Sequence, residues 1–198
     1  MVQLQLSQVV EETKTSSFIY KMQKYLSISN ILIAINIVIF ILTSPSPLYG
    51  LNVYFYLSGL WWQPLSTMFF HADINHLFMN MAMLFIFGNM VEKEIGKLKF
   101  IIIYFGGGIL TSLLSSIILI TIFYNHNLIG ASGAISVLLG FYAFFDRYRR
   151  KGIFIALLIY SFAPLLMGMN IAWYAHLIGF LIGYSYAFSH KKIIFRNL

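Results

Sequence analysis

The chain has 198 residues, of which 60% are hydrophobic and 10% charged, with a formal net charge of +7 and no cysteine. Its mean hydropathy is +0.81. A water-soluble domain of this length cannot cover so much apolar surface, so the composition excludes a soluble globular protein and points to an integral membrane protein; the lack of cysteine excludes disulfides and thiolate chemistry.

Residues 1–27 are polar and are expected to form a cytoplasmic lead-in. Apolar runs follow at about 28–43, 74–91, 100–124, 131–145, 153–169 and 171–188. They predict an all-α protein built as a six-helix transmembrane bundle over 28–190, followed by a basic tail at 191–198. The first run is long for a signal peptide and no A-x-A site follows it, so it reads as a retained helix. Lys14, Lys21 and Lys24 precede the first run. Lys93, Lys97 and Lys99 lie between the second and third, and Arg147, Arg149, Arg150 and Lys151 between the fourth and fifth. Lys191, Lys192 and Arg196 follow the sixth. The loops at 44–73, 125–130 and 169–170 hold no Lys or Arg. This alternation predicts both termini in the cytoplasm and three uncharged loops outside. The basic charge is therefore a topology signal, and nucleic acid is not an expected partner.

That topology orients the second, fourth and sixth runs from outside to inside. Their outer ends carry His76 and Asn80, Ser132, and His176. Polar groups inside a bilayer are costly and face a bundle interior or a wet cavity. Four of them at one depth, on three separate helices, predict a site. The fourth run sharpens its position. Ser132 to Phe145 covers about 20 Å at the helical rise, against a hydrocarbon core of about 30 Å. The serine therefore lies below the outer surface, and the segment Tyr124–Gly130 must dip into the protein beside water.

On the sixth run His176, Gly179 and Gly183 share a face, and on the fourth Ser132, Ser136 and Gly140 do. Small residues on parallel helices allow backbones to approach, bringing Ser132 and His176 together. Gly130 and Gly133 are expected to leave the serine unobstructed. A serine against a histidine reads as a nucleophile and its base. The acidic residues are Glu11, Glu12, Asp73, Glu92, Glu94 and Asp146. Only Asp73 is on the outer side, where a cap for the second helix is wanted, so a dyad is expected rather than a triad.

The stretches HADINHLFMNMAMLFIFGNMVE (71–92), GASGA (130–134) and WYAHLIGFLIG (173–183) resemble the rhomboid family of intramembrane serine proteases in order and spacing. The resemblance covers roughly residues 28 to 190 and is to the minimal six-helix bacterial form, which implies the inner (cytoplasmic) membrane. It implies Ser132 as nucleophile, His176 as general base, and Asn80, His76 and backbone N–H near Ser132 as an oxyanion hole. It further implies His71 as a histidine packed near the site and Glu92 as a structural glutamate. Substrates would be single-pass transmembrane proteins cut near the outer face, with no cofactor. Oligomeric state is not implied.

Two positions depart from the family pattern. Trp62-Gln63 stands where bacterial relatives often have Trp-Arg. Ser136 stands where some members have a tyrosine that stacks on the catalytic histidine, which leaves the support of His176 open. Other classes remain in play beside the protease reading: a non-catalytic rhomboid-like protein that binds transmembrane helices, and a metal-dependent hydrolase using His71, Asp73 and His76.

Overall fold

The structure, a computed structural model, describes residues 27–166, 168 and 171–195, with side chains described up to Ser189. Residues 1–26 of the expected lead-in at 1–27 and the tail residues 196–198 lie outside the described residues, as do the side chains of the basic tail. The described chain is all-helical apart from one isolated β-bridge, and holds six long helices: α1 (Ile28–Leu42), α2 (Ile74–Ile95), α3 (Lys97–Thr121), α4 (Ser132–Phe145), α5 (Arg150–Leu166) and α6 (Trp173–Phe195). α2 and α3 are each long and apolar enough to cross a membrane by length and composition; α1 and α4 are apolar but shorter. The helix faces turned outward carry large exposed apolar side chains, among them Val38, Phe78, Ile86, Ile117, Ile159 and Leu181. A surface so rich in contiguous apolar groups suits hydrocarbon and not water.

α4 is the axis of the packing. Ile135, Val137, Leu138, Leu139, Phe141 and Ala143 are all buried, and so are the small polar Ser132 and Ser136. α6 lies closest against it. A Cβ at Gly140 would collide with the Phe180 carbonyl, one at Gly183 with the Val137 carbonyl, and one at Gly179 would sit 2.5 Å from the Gly133 carbonyl oxygen. The obstructing atoms are backbone, so these glycines set the interaxial distance.

Two polar devices hold the ends. Glu92, buried on α2, accepts the Ile28 and Ser29 amides at 2.8 and 2.9 Å and the Ser29 hydroxyl at 2.9 Å. A carboxylate at a helix start satisfies orphan N–H groups and complements the dipole, so α2 caps α1. At the other end of α4, the Arg150 guanidinium donates to the Ala143 and Phe144 carbonyls at 2.8 and 2.9 Å. Arginine there suits the negative helix terminus.

The loop between α1 and α2 contains one-turn helices at Tyr54–Leu57 and Gln63–Ser66 and is tied to the chain leading into α4. Leu51 and Leu128 exchange backbone hydrogen bonds of 2.8 Å in the isolated bridge. Asn52 donates to the Pro47 and Gly50 carbonyls and to Asn127 Oδ1. Gln63 is fully buried, donating to the Pro47 carbonyl at 2.9 Å and accepting from the Asn52 amide at 3.2 Å. A neutral amide thus fills the place where relatives often carry arginine, and braces the loop with both of its polar atoms. All of these bonds but the one between Asn52 and Asn127 satisfy irregular backbone that would otherwise be costly to bury.

Candidate active site

α4 begins at Ser132, two residues after Gly130, whose φ is +117°. A Cβ on Gly130 would fall 2.7 Å from His76 Nε2 and 3.7 Å from the Ser132 hydroxyl. Glycine is therefore required both for the backbone angle and for the space that lets the His76 ring stand beside Ser132. Gly133 does something else. A Cβ there would press on the Thr111 methyl of α3 at 3.1 Å, and its carbonyl lies under Gly179. Its smallness serves helix packing.

Ser132 is nearly buried and borders two cavities. One, of about 190 Å³, is partly open and lined by polar groups that include Thr67, His76, Ser112, Ser115 and Asn127. It has room for several water molecules and hydroxyls and amides to hold them. The other, of about 10 Å³, is lined by His76, Met79, Ser132, Tyr160, Ile171 and His176. That is about the space of one water. α2, α4, α5 and α6 thus each bring a side chain to one point.

The surroundings of His176 fix its protonation pattern. Its Nδ1 lies 3.1 Å from the Ser161 hydroxyl, which donates to the Leu157 carbonyl at 2.7 Å. A hydroxyl has one hydrogen, so Ser161 accepts and His176 Nδ1 carries the proton. Nε2 is left with its lone pair. The Tyr160 ring stacks on the imidazole, centroids 4.8 Å apart and planes 17° apart. Its hydroxyl donates to Asn80 Oδ1 at 3.0 Å, and the residue lines the small cavity together with Ser132. Asn80 is fully buried and donates one amide N–H to the His76 carbonyl at 2.8 Å. The second N–H of that amide is not engaged in this bond.

Tyr160 and Ser161 were not among the candidates from sequence. Their signal was faint: a Tyr-Ser pair inside an apolar run, where polar atoms need partners. Ser136 is buried, without a hydrogen-bond partner, and lies 3.1 Å from where a Gly179 Cβ would be. Helix contact claims that position, and the aromatic on His176 comes from α5 instead.

His71 packs edge-on against His76, ring centroids 5.2 Å apart and planes 70° apart. Burial first, and the neighbouring His76 second, pull its pKa down to about 3. It stays neutral at ordinary pH. Asp73 does not join these histidines as a ligand. Its Oδ1 accepts the Asn75 and His76 amides, each at 2.9 Å, capping α2. Among the described residues no three His, Cys, Asp or Glu side chains are placed to hold a metal ion.

The family model of the Rhomboid domain matches residues 58–192. This chain belongs to the rhomboid family. It is 31% identical over 138 residues to YdcA of Bacillus subtilis, a candidate rhomboid protease, covering 66% of this chain and 68% of that one. It is 25% identical over 141 residues to the rhomboid protease GlpG of Haemophilus influenzae, covering 67% and 71%. With the rhomboid protease GluP of Bacillus subtilis it shares 34% identity over 93 residues, which cover 47% of this chain and 17% of GluP. The matched region contains every side chain of the cluster around Ser132, so in this rhomboid the cluster lies wholly within the family domain.

Proposed function

We propose that this rhomboid is an intramembrane serine endopeptidase that cuts single-pass transmembrane substrates near the outer face of a bacterial inner membrane. In this reading all six helices cross the membrane and both termini are cytoplasmic. The observation that carries it is the small cavity where Ser132, His76 and His176 meet from three different helices.

Ser132 is the nucleophile. His176 takes its proton on Nε2, the nitrogen that the Ser161 contact leaves free. The imidazolium that forms has no carboxylate beside it. It is stabilised by Ser161 on its Nδ1–H and by the face of the stacked Tyr160 ring. The oxygen of the attacked carbonyl gains negative charge among buried, uncharged groups. Neutral donors must meet it: the second Asn80 N–H, a His76 N–H and the Ser132 backbone N–H. His176 then returns the proton to the leaving amine, and water from the larger polar cavity hydrolyses the acyl-enzyme.

A serine-directed fluorophosphonate should modify one residue, Ser132, located by mass spectrometry of the purified protein. Ser132→Ala and His176→Ala should each abolish cleavage and labelling while the protein stays folded, since nucleophile and base act as a unit. EDTA should leave the activity unchanged. Inhibition by EDTA that zinc restores, or labelling elsewhere, would remove this reading.

A further inference from the structure

One side chain touches both halves of the site. Tyr160 lies flat on His176 and donates its hydroxyl proton to Asn80 Oδ1. We propose that Tyr160 is a positioning residue that sets the base and the oxyanion donor together, through its ring and its hydroxyl separately; the role rests on the protease reading above.

The argument starts from Asn80. Its amide is fully buried and anchored at two atoms, Nδ2 to the His76 carbonyl and Oδ1 to the Tyr160 hydroxyl. Turned over, the amide would set its carbonyl against the His76 carbonyl and its NH2 against the phenol. Two good bonds would become one repulsive contact and one weak one. Tyr160 thus selects the orientation in which the amide's spare hydrogen-bonding group is an N–H and not an oxygen. The ring has the second task. Ser161 holds one edge of the imidazole, but a single hydrogen bond leaves the ring free to tilt about it. The stacked phenol closes that freedom. Tyr160 and Ser161 are consecutive on α5, so one turn of one helix positions the whole base.

The two tasks are separable. Tyr160→Phe keeps the ring and loses the hydroxyl; Tyr160→Leu loses both. The full-length chain is reconstituted in liposomes with a transmembrane substrate, and fluorophosphonate labelling of Ser132 is measured alongside. For Tyr160→Phe we expect kcat to fall about tenfold with KM nearly unchanged, because a misaimed donor hurts the transition state alone. Its labelling rate should stay near wild type. In an Asn80→Ala background the same change should have no further effect. Tyr160→Leu should slow labelling about tenfold as well, because His176 is no longer held.

Wild-type kcat in Tyr160→Phe overturns the proposal, as does a full tenfold loss on top of Asn80→Ala, or equal labelling of the Phe and Leu variants. A Phe variant that does not fold, judged by thermal unfolding in detergent, also overturns it, since one hydroxyl would then govern the fold and not the site. Failure of the protease reading is distinct: the wild type would neither cleave nor be labelled.

Discussion

The Ser161 hydroxyl stands 3.1 Å from His176 Nδ1 with its own proton committed to the Leu157 carbonyl at 2.7 Å. A neutral hydroxyl here does what a carboxylate does in a Ser-His-Asp triad as regards the tautomer, but it brings no charge. Ser161→Ala should therefore cost roughly tenfold in kcat, far less than loss of a triad carboxylate. Ser161→Thr should restore most of it. A steady-state comparison of the two variants checks this; equal activity of Ala and wild type would show that the tautomer is set elsewhere.

Asn80 offers the second test. Removing one oxyanion donor costs roughly 10²–10³ in kcat, about 3–4 kcal/mol. Asn80→Ala should show that loss with little change in KM, and a small covalent inhibitor should still label Ser132. His76→Ala should behave likewise to a similar or lesser degree. Cleavage at the wild-type rate by Asn80→Ala would return His76 and Asn80 to a purely structural pair.

The α4–α6 contact makes a prediction about stability. A methyl at position 183 would run into the Val137 carbonyl and stand 2.8 Å from the Phe141 amide, and backbone cannot move aside cheaply. Gly183→Ala should destabilise the protein by about 1–3 kcal/mol. At Gly152 nothing lies within 4 Å, so Gly152→Ala should be neutral or gain a few tenths of a kcal/mol from helix propensity. Thermal unfolding in detergent separates the two; equal shifts would deny the close approach.

Acid sensitivity follows from His71. Its ring takes up a proton near 6.5 when unfolded but only at about 3 when folded. Between those values the unfolded chain binds the extra proton, so stability rises with pH across that window and is lost as pH falls through it. The unfolding temperature in detergent should drop as pH is lowered from about 6.5 toward 4, and His71→Gln should flatten the slope. Parallel slopes would assign the sensitivity to another group.

The substrate side is tested without mutating the enzyme. A helical peptide bond is shielded by its own hydrogen bonds, so cleavage requires local unwinding. Replacing Gly, Ala or Ser near the cut by Leu should slow cleavage, and a helix breaker just below it should speed it. Faster cleavage of the stiffened substrate would defeat the unwinding argument.

Much of this was legible in the chain itself. Helix-length apolar runs, and the small faces Ser132/Ser136/Gly140 and His176/Gly179/Gly183, follow from local composition and helical period, which any single helix displays. Those faces are the ones that meet, since glycine is chosen for backbone contact and its spacing records the direction of that contact. Asp73 was likewise readable, because a carboxylate at the start of its own helix has a short-range job; Glu92 was named only through the family resemblance, and its partners lie on α1, far off in sequence. Tyr160 and Ser161 were decided only by tertiary structure. In α5 they have no motif around them, and a Tyr-Ser pair in an apolar run reads as packing. Their partners His176 and Asn80 lie on two other helices, and which of the faces of α5 turns toward them depends on rotation and tilt in the assembled bundle. The same holds for the Leu51–Leu128 bridge and the Asn52–Asn127 bond, where two loops distant in sequence satisfy each other. A residue whose work is local writes itself into the spacing of its own helix; one that works by joining helices is known only once they are packed.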